Sequence, residues 1–292
     1  MRTHFSCIPC ILRQTIETVE LVTDKPEIKE KVVNKVLNYL TTIDYNVPPP
    51  VIGKEVYRII HQVTGNHDPY HELKIKYNSL GLAYYDDLLK IVFRNPEPVL
   101  MAAKLAVAGN VIDFGAQVKE IDIQKTIHTV EDLYFEINDF ERFIEDLKQS
   151  RKILYLADNA GEIVFDRLFI EILQRYYPEL GLEFTVAVRG APIINDATRE
   201  DALMVGMDKI ARIVDSGDDT PAMVLDQASD ELKQAFEQAD MVISKGMGNY
   251  ETLDERHELI YYLLRVKCPV VSKIINAKEG SLVFKRNEDF ND

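Results

Sequence analysis

The sequence predicts an α/β protein: a helical N-terminal domain over residues 1–150, then an α/β domain over 151–292 built on a parallel sheet. Three observations predict this. In the first half, apolar residues recur at three- and four-residue spacing, as in amphipathic helices. In the second half, short apolar runs of strand length alternate with helical stretches, as in βαβ units. Those runs are apolar throughout, as expected where helices cover both faces of a sheet. A length of 292 residues also suits two domains of ordinary size.

The elements follow in order. A first helix is expected over 9–23, where Ile11, Leu12, Ile16, Val19 and Val22 keep helical spacing. Ile28, Val32, Val33, Val36, Leu37 and Leu40 repeat the pattern. The run Pro48-Pro49-Pro50 ends that helix and starts another at Val51. Further helices are expected over 71–92, 98–108, 121–133 and 138–149. The second half then reads strand 153–157, helix 163–177, strand 184–188, helix 198–205 and strand 212–214. Helix 232–237, strand 241–244, helix 253–265 and strand 269–274 complete it. The acidic end, 287–292, is expected to fray.

Lys and Arg number 34 against 48 Asp and Glu, a net charge of −14. Such a balance excludes a general nucleic-acid coat and a polybasic membrane binder, which need excess cation. It leaves room for a phosphorylated small molecule held at a local site. No segment approaches the roughly 20 apolar residues of a membrane span. The N-terminus has no apolar stretch of signal length, so the cytoplasm is the expected location. Cys7, Cys10 and Cys268 are an odd number in a long, core-rich chain, which is no disulfide framework. The oligomeric state is left open.

In open parallel sheets, ligands bind outside the carboxyl ends of the strands. Three polar loops fall there: Asp158-Asn-Ala-Gly-Glu162, Arg189-Gly-Ala-Pro-Ile-Ile-Asn-Asp196 and Lys245-Gly-Met-Gly-Asn-Tyr-Glu251. Helix capping explains each singly. Asn159-x-x-Glu162, Thr198-x-x-Asp201 and Thr252-x-x-Glu255 all have the spacing of a capping box. Caps do not explain why acidic and amide oxygens recur along one edge. Asp158, Asn159 and Asp196 together offer two carboxylates and one amide carbonyl. That is a hard oxygen set, suited to Mg²⁺ or Mn²⁺ and poor for zinc. Lys245, Gly246 and Gly248 supply the complement: a cation, and backbone N–H groups that can approach an anion at a helix start. Neither a Walker A motif nor a full dinucleotide fingerprint is present.

These three loops resemble the signature stretches of the damage-control phosphatases. That family shares the acidic-residue-methyltransferase-like metal-binding domain. Cys7-Ile-Pro-Cys10, Asp68-Pro-Tyr-His-Glu-Leu-Lys74 with Asn78, and Ala108-Gly-Asn110-Val-Ile-Asp113 match as well, in the right order. The chain is most similar to the stand-alone, mainly archaeal branch with the N-terminal Cys pair. The resemblance implies a helical N-terminal domain packed on a three-layer α/β/α domain with a mainly parallel sheet. It implies one divalent metal, typically Mn²⁺, Co²⁺ or Ni²⁺ with Mg²⁺ as a further option, on Asp158, Asn159 and Asp196. It implies hydrolysis of small phosphate esters, either harmful sugar phosphates or damaged nucleotide-like metabolites. Asp158 and Asp196 are then the expected catalytic residues. Lys245, Gly246, Asn249 and Glu162 are expected at the substrate, with Asn110 and Lys74 closing the site from the helical domain.

Other readings fit the residues less well. An aspartyl nucleophile at Asp158 normally has a second Asp two residues on, where this chain has Ala160. An S-adenosylmethionine-dependent carboxyl methyltransferase would show a glycine-rich loop after its first strand, and this loop has one glycine. A non-enzymatic metal- or phosphometabolite-binding protein is the remaining alternative. The three cysteines could hold a second metal or be small buried hydrophobes. His67 and His71 have ligand spacing, but Pro69 between them favours a loop or cap role. Asp215-Ser-Gly-Asp-Asp-Thr220 reads as a solvated turn.

Overall fold

The computed structural model describes residues 1–109 and 132–287. Three helices open the chain: α1 (Cys7–Val22), α2 (Pro26–Leu40) and α3 (Pro49–Thr64). Prolines begin α2 and α3, at positions where a missing N–H leaves nothing unsatisfied. Gly65 ends α3 at φ 74°, a left-handed cap. The inward stripes of these helices, including Val19, Val32, Val36, Ile52 and Ile60, form a core of their own. The Thr18 hydroxyl lies inside it, bonded to the hydroxyls of Tyr57 (3.0 Å) and Tyr70 (2.9 Å).

Next come α4 (His71–Ala83), α5 (Tyr85–Arg94) and α6 (Pro98–Ala108). Nearly every side chain of α6 is buried, from Val99 to Ala108, because it lies in a layer against the sheet. The sheet and its helices follow: β1 (Phe135–Asn138), α7 (Phe140–Leu147), β2 (Lys152–Leu156), α8 (Glu162–Tyr176) and β3 (Glu183–Val188). Then come α9 (Arg199–Met204), β4 (Arg212–Asp215), α10 (Asp230–Gln238), β5 (Met241–Lys245) and α11 (Gly246–Leu253). The last are β6 (Ile260–Arg265), α12 (Pro269–Ile275) and β7 (Leu282–Arg286).

The seven strands run in the order β1-β7-β6-β5-β2-β3-β4. All neighbours are parallel except β6 and β7. Side chains alternate across the sheet as the pleat requires. Ile153 and Tyr155 enter the core shared with α6 and α8. Leu154 and Leu156 enter the opposite core, with Leu232 of α10, Tyr250 of α11 and Val271 of α12. The expected α/β class and three layers are therefore present. Strands at 152–156, 183–188, 212–215 and 241–245 and the helices between them lie where the sequence places them.

Six elements differ from expectation, the first being the helix expected over 71–92, which is two helices, α4 and α5, parted at Tyr84. Residues 260–265 are a strand, not the end of a helix, and 269–275 are a helix, not a strand. Residues 246–253, read as loop, are α11, and 282–286 form β7. The strand at 135–138 lies inside the stretch read as all-helical, so the sheet draws its β1 from before residue 150. The helix expected over 121–133 and the tail 288–292 lie largely or wholly outside the described residues.

The segment 215–220 is also not a free turn. Lys54 of α3 is paired with Asp218 and stands 3.3 Å from Asp219, while Arg58 reaches Asp219 at 3.2 Å. Its carboxylates are the docking point of the helical part on the sheet edge.

Candidate active site

β2 is the point from which the chain winds outward in both directions: β3 lies on one side and β5 on the other. The crevice at the carboxyl ends of β2 and β5 is thus the topological switch point, where α/β sheets take their ligands. Register brings the ends level, since Leu156 faces both Ala187 of β3 and Ser244 of β5. The three polar loops therefore start at one height. A cleft of about 530 Å³ opens above them. Its floor includes Asp158, Asn159, Glu162, Asp196, Lys245 and Gly246. Its opposite wall comes from α1 and α3.

The loops after β2 and β3 are tied together by backbone. Asn159 and Asp196 form an isolated bridge, the Ala160 N–H donates to the Asn195 carbonyl (2.8 Å), and the Ala197 N–H donates to the Asp158 carbonyl (2.8 Å). This clasp sets Asp158, Asn159 and Asp196 beside one another, as expected. Arg189, 1% exposed, donates from Nε to Asp196 Oδ2 at 2.6 Å, and its Nη2 lies 3.7 Å from Asp158 Oδ1. Asn159 Nδ2 donates to Asp158 Oδ2 (2.9 Å) and to Glu162 Oε1 (2.7 Å). Each of the three residues keeps one oxygen to which no described donor is bonded: Asp158 Oδ1, Asn159 Oδ1 and Asp196 Oδ1. Burial pushes the Asp196 carboxyl up to about 7, against the pull of Arg189. Burial likewise raises Glu162 to about 7, against the pull of Lys245.

These residues fit a divalent cation. Two carboxylates and an amide carbonyl, each with a free oxygen, form a hard donor set. Among the described residues, no group of three or more His, Cys, Asp or Glu has the arrangement of a metal site. The set at the clasp differs from such a group because its third oxygen is an amide.

Gly246 stands at φ 80°, and a Cβ there would collide with the whole carboxylate of Asp158. Glycine is required, both for the left-handed backbone and for the close approach. α11 starts at this residue, so its first N–H groups, around Gly246 and Gly248, open toward the cleft.

Lys245 is placed otherwise than expected. Its ammonium is 1% exposed and donates to Asp166 Oδ1 (2.6 Å) and the Ala106 carbonyl (2.7 Å), with Glu162 Oε2 at 3.8 Å. It borders the cleft floor while held from behind. Asn249 is fully buried and does not line the cleft. Its Oδ1 accepts from the Met223 N–H (2.8 Å), and its Nδ2 donates to the carbonyls of Lys245 (2.8 Å) and Ala157 (3.3 Å). That correction has a plain reason: the amide ties the ends of β2 and β5 to the 223 loop.

Lys74 is also buried, 2.8 Å from Asp68 and 3.7 Å from Asp201, and it does not line the cleft. It lies close enough to Asp196 to favour that carboxylate's charged form. Beside it, Asn78 joins the two halves of the chain. Its Oδ1 accepts the Gly161 N–H (2.7 Å) and its Nδ2 donates to Asp201 (2.8 Å). Asn110 lies outside the described residues.

Of the three capping boxes expected, Thr198–Asp201 is formed, at the start of α9. Gly161, not Asn159, precedes α8, and Thr252 falls within α11. His71 is the first residue of α4, with its Nδ1 3.7 Å from Asp68 Oδ2, and its side chain caps no helix N–H. Cys7, Cys10 and Cys268 all border the cleft as free thiols. Sequence reasoning assigned no role to Arg189 or Asp166, and none to Asp201 beyond its capping box. The only signal for Arg189 was its place one residue beyond a strand. Asp166 was hidden one turn into a helix, where an acid reads as solvated surface.

The chain matches a family model described as "Damage-control phosphatase ARMT1-like domain" over residues 3–283. An uncharacterized protein of Methanocaldococcus jannaschii is 35% identical over 286 residues, covering 95% of this chain and 93% of that protein. A protein named damage-control phosphatase from Pyrococcus horikoshii is 31% identical over 99% of both chains. Another of that name, from Archaeoglobus fulgidus, is 34% identical over 96% of this chain and 97% of its own. The crystal structure of a DUF89-family protein from P. horikoshii superposes with a TM-score of 0.90 at 30% identity, covering 99% of this chain and 100% of that one. With the same fold, and a match that spans the clasp and both parts of the chain, this protein belongs to the damage-control phosphatase ARMT1-like family.

Proposed function

We propose that the chain is a divalent-metal-dependent phosphatase that hydrolyses small phosphate esters in metabolite repair. The observation that carries this reading is the clasp: it joins Asp158, Asn159 and Asp196, each of which keeps an oxygen with no described donor bonded to it. The relatives named damage-control phosphatase support the reaction class.

Asp158, Asn159 and Asp196 would hold Mn²⁺, Co²⁺, Ni²⁺ or Mg²⁺. Such an ion, when bound, supplies a Lewis acid for a phosphoryl oxygen and a water of lowered pKa. The chain's own groups do the rest. The N–H groups at the start of α11 receive the equatorial phosphoryl oxygens. Lys245 adds positive charge from beneath the floor, fixed in place by Asp166. Arg189 orients Asp196 through its Nε. Glu162, raised to about 7 by burial, exchanges a proton readily near neutral pH and so can give one to the departing oxygen.

The test is hydrolysis of an aryl phosphate by protein stripped with chelator and refilled with Mg²⁺, Mn²⁺, Co²⁺ or Ni²⁺. Activity is expected to return with metal in the parent and in neither Asp158→Ala nor Asp196→Ala. Chelator-resistant activity, or none with any metal on any phosphate ester, would overturn the proposal. Retained ligand affinity without turnover would favour a binding protein.

Among the described residues, no helix is long and apolar enough to cross a membrane. A small-molecule substrate in the cleft is in keeping with the acidic net charge of −14.

A further inference from the structure

The cleft is much larger than one phosphoryl group needs. At about 530 Å³ it lies within the ~300–1,000 Å³ of sites that enclose a whole metabolite. The wall facing the clasp is therefore where a substrate would be told from its competitors.

Three cations line that cleft without a carboxylate partner among the described residues; Arg265 is engaged by the Gly280 carbonyl (3.3 Å), which leaves Arg13 and Lys267. Arg13 projects from α1, and its one described side-chain contact is with Cys10 Sγ at 3.7 Å. Lys267 lies just ahead of α12. Only its backbone is engaged, with the N–H donating to Met247 Sδ at 3.2 Å. The two segments meet at the rim, because Cys10 and Cys268 both stand near enough to Cys7 to act on its thiol. Lys267 also reaches far enough inward to favour the charged form of Glu162. Lys267 thus acts across the cleft on the clasp side, and Arg13 lines the same cleft from α1.

In a chain with 48 acids to 34 bases, most interior cations have found an acid. Lys54, Lys74, Arg189 and Lys245 all have. Outside the clasp and Glu162, the carboxyl lining the cleft is Glu251, which burial raises to about 8, so it is mostly neutral at pH 7. The rim is locally positive in an acidic protein.

We propose that Arg13 and Lys267 form a second anion subsite, so that the preferred substrate is a phosphate ester carrying a second anionic group, a carboxylate or another phosphate. The inference rests on the phosphatase reading for the reaction at the clasp. The subsite itself is a statement about binding. It makes the two residues determinants of specificity, since an anion at the rim lowers KM for the doubly charged ester while the scissile phosphate sits at the clasp.

The test compares a hexose bisphosphate, a phosphorylated sugar acid and a hexose monophosphate. Parent and Arg13→Gln/Lys267→Gln proteins are assayed by steady-state kinetics and by calorimetric binding in the presence of the activating metal. Both side chains are exposed, and matched melting curves check that the variant folds. The parent is expected to favour a doubly anionic ester by about tenfold or more in KM, the scale of a charge-assisted contact. The variant is expected to lose most of that preference. The bisphosphate and sugar-acid arms identify which second anion is read. Equal KM and affinity for singly and doubly anionic esters in the parent would overturn the proposal. Equal losses for both kinds in the variant would do the same. If no ester is turned over, but the bisphosphate still binds more tightly through these two residues, the subsite stands and the phosphatase reading falls.

Discussion

Replacing Gly246 by Ala should separate the folding role of this residue from its role in the site. Two effects are combined. The first is backbone: at φ 80° an L-residue is strained, which costs about 1–3 kcal/mol. The second is steric. The new Cβ would meet the carboxyl carbon and both oxygens of Asp158, and even the farthest of the three is at 2.8 Å, inside the 3.0 Å that real Cβ atoms essentially never cross. The carboxylate must move away as a unit, by on the order of 1 Å, and a misplacement of that size at a reacting centre can cost about 100-fold in rate. Gly65→Ala is the matched control, because Gly65 has φ 74° and nothing within 4 Å of its Cβ position. Urea unfolding is expected to give similar losses for the two variants. Metal-dependent aryl phosphatase activity is expected to fall by about two orders of magnitude in Gly246→Ala and to persist in Gly65→Ala. If Gly246→Ala keeps parental activity while losing the same stability as the control, then Asp158 does not act from the position its contact with Gly246 defines.

Three further outcomes follow from buried groups. Lys245→Met strips buried Asp166 of its cation and leaves the Tyr155 hydroxyl (2.7 Å) as its described donor, so it should cost about 3–5 kcal/mol in urea unfolding, with Asp166→Leu in the same chain restoring much of it. A loss below about 1 kcal/mol would mean that the ion pair does not support the fold. Asn78→Ala should cost about 1–3 kcal/mol, because the Gly161 N–H and Asp201 lose a buried partner. No change in the urea midpoint would refute this. Glu251 is raised from 4.5 to about 8 by burial, so the folded chain holds a proton that the unfolded chain has released. Stability contributed by this group is present below about 4.5 and falls as pH rises toward about 8. Glu251→Gln should flatten urea midpoints measured across that window, and equal slopes in parent and variant would refute the assignment.

What could be read from the sequence depended on the kind of signal. β2, β3 and β5 were legible because each is a short apolar run bounded by polar loops. The same rule failed at residues 260–265, where Ile260-Tyr-Tyr-Leu-Leu-Arg265 is buried on both faces and carries no period to separate strand from helix. At 269–275 the β-branched run suggested a strand. Pro269 at the first helical position and Asn276 at φ 56° are the helix signals that won. β1 was missed because four residues, half exposed, give too little pattern. Asp158, Asn159, Glu162 and Asp196 were legible as acids and amides recurring after strands. The roles of Lys245, Lys74 and Asn249 were not, because a polar residue in a loop gives no indication of whether it faces a ligand or a buried partner. Asn249 shows this best, with every bond of its amide going to the backbone.

The sheet order has a consequence for how the chain assembles. β1 lies at the edge and pairs only with β7, the last strand to be made. During synthesis β1 emerges before the other described strands, yet its partner among them is not made until β7 has followed. β7 must first dock antiparallel on β6, and only then does β1 gain a ladder to join. The closure of β1 on β7 spans a long stretch of chain, from Phe135 to Leu282, which makes it late and slow. Until β7 docks, β6 presents an apolar, unpaired edge, Ile260-Tyr-Tyr-Leu-Leu, of the kind that recruits other chains. A nascent chain from which β7 has yet to emerge would therefore hold its clasp beside an open sheet. Its solubility would depend on how soon β7 arrives.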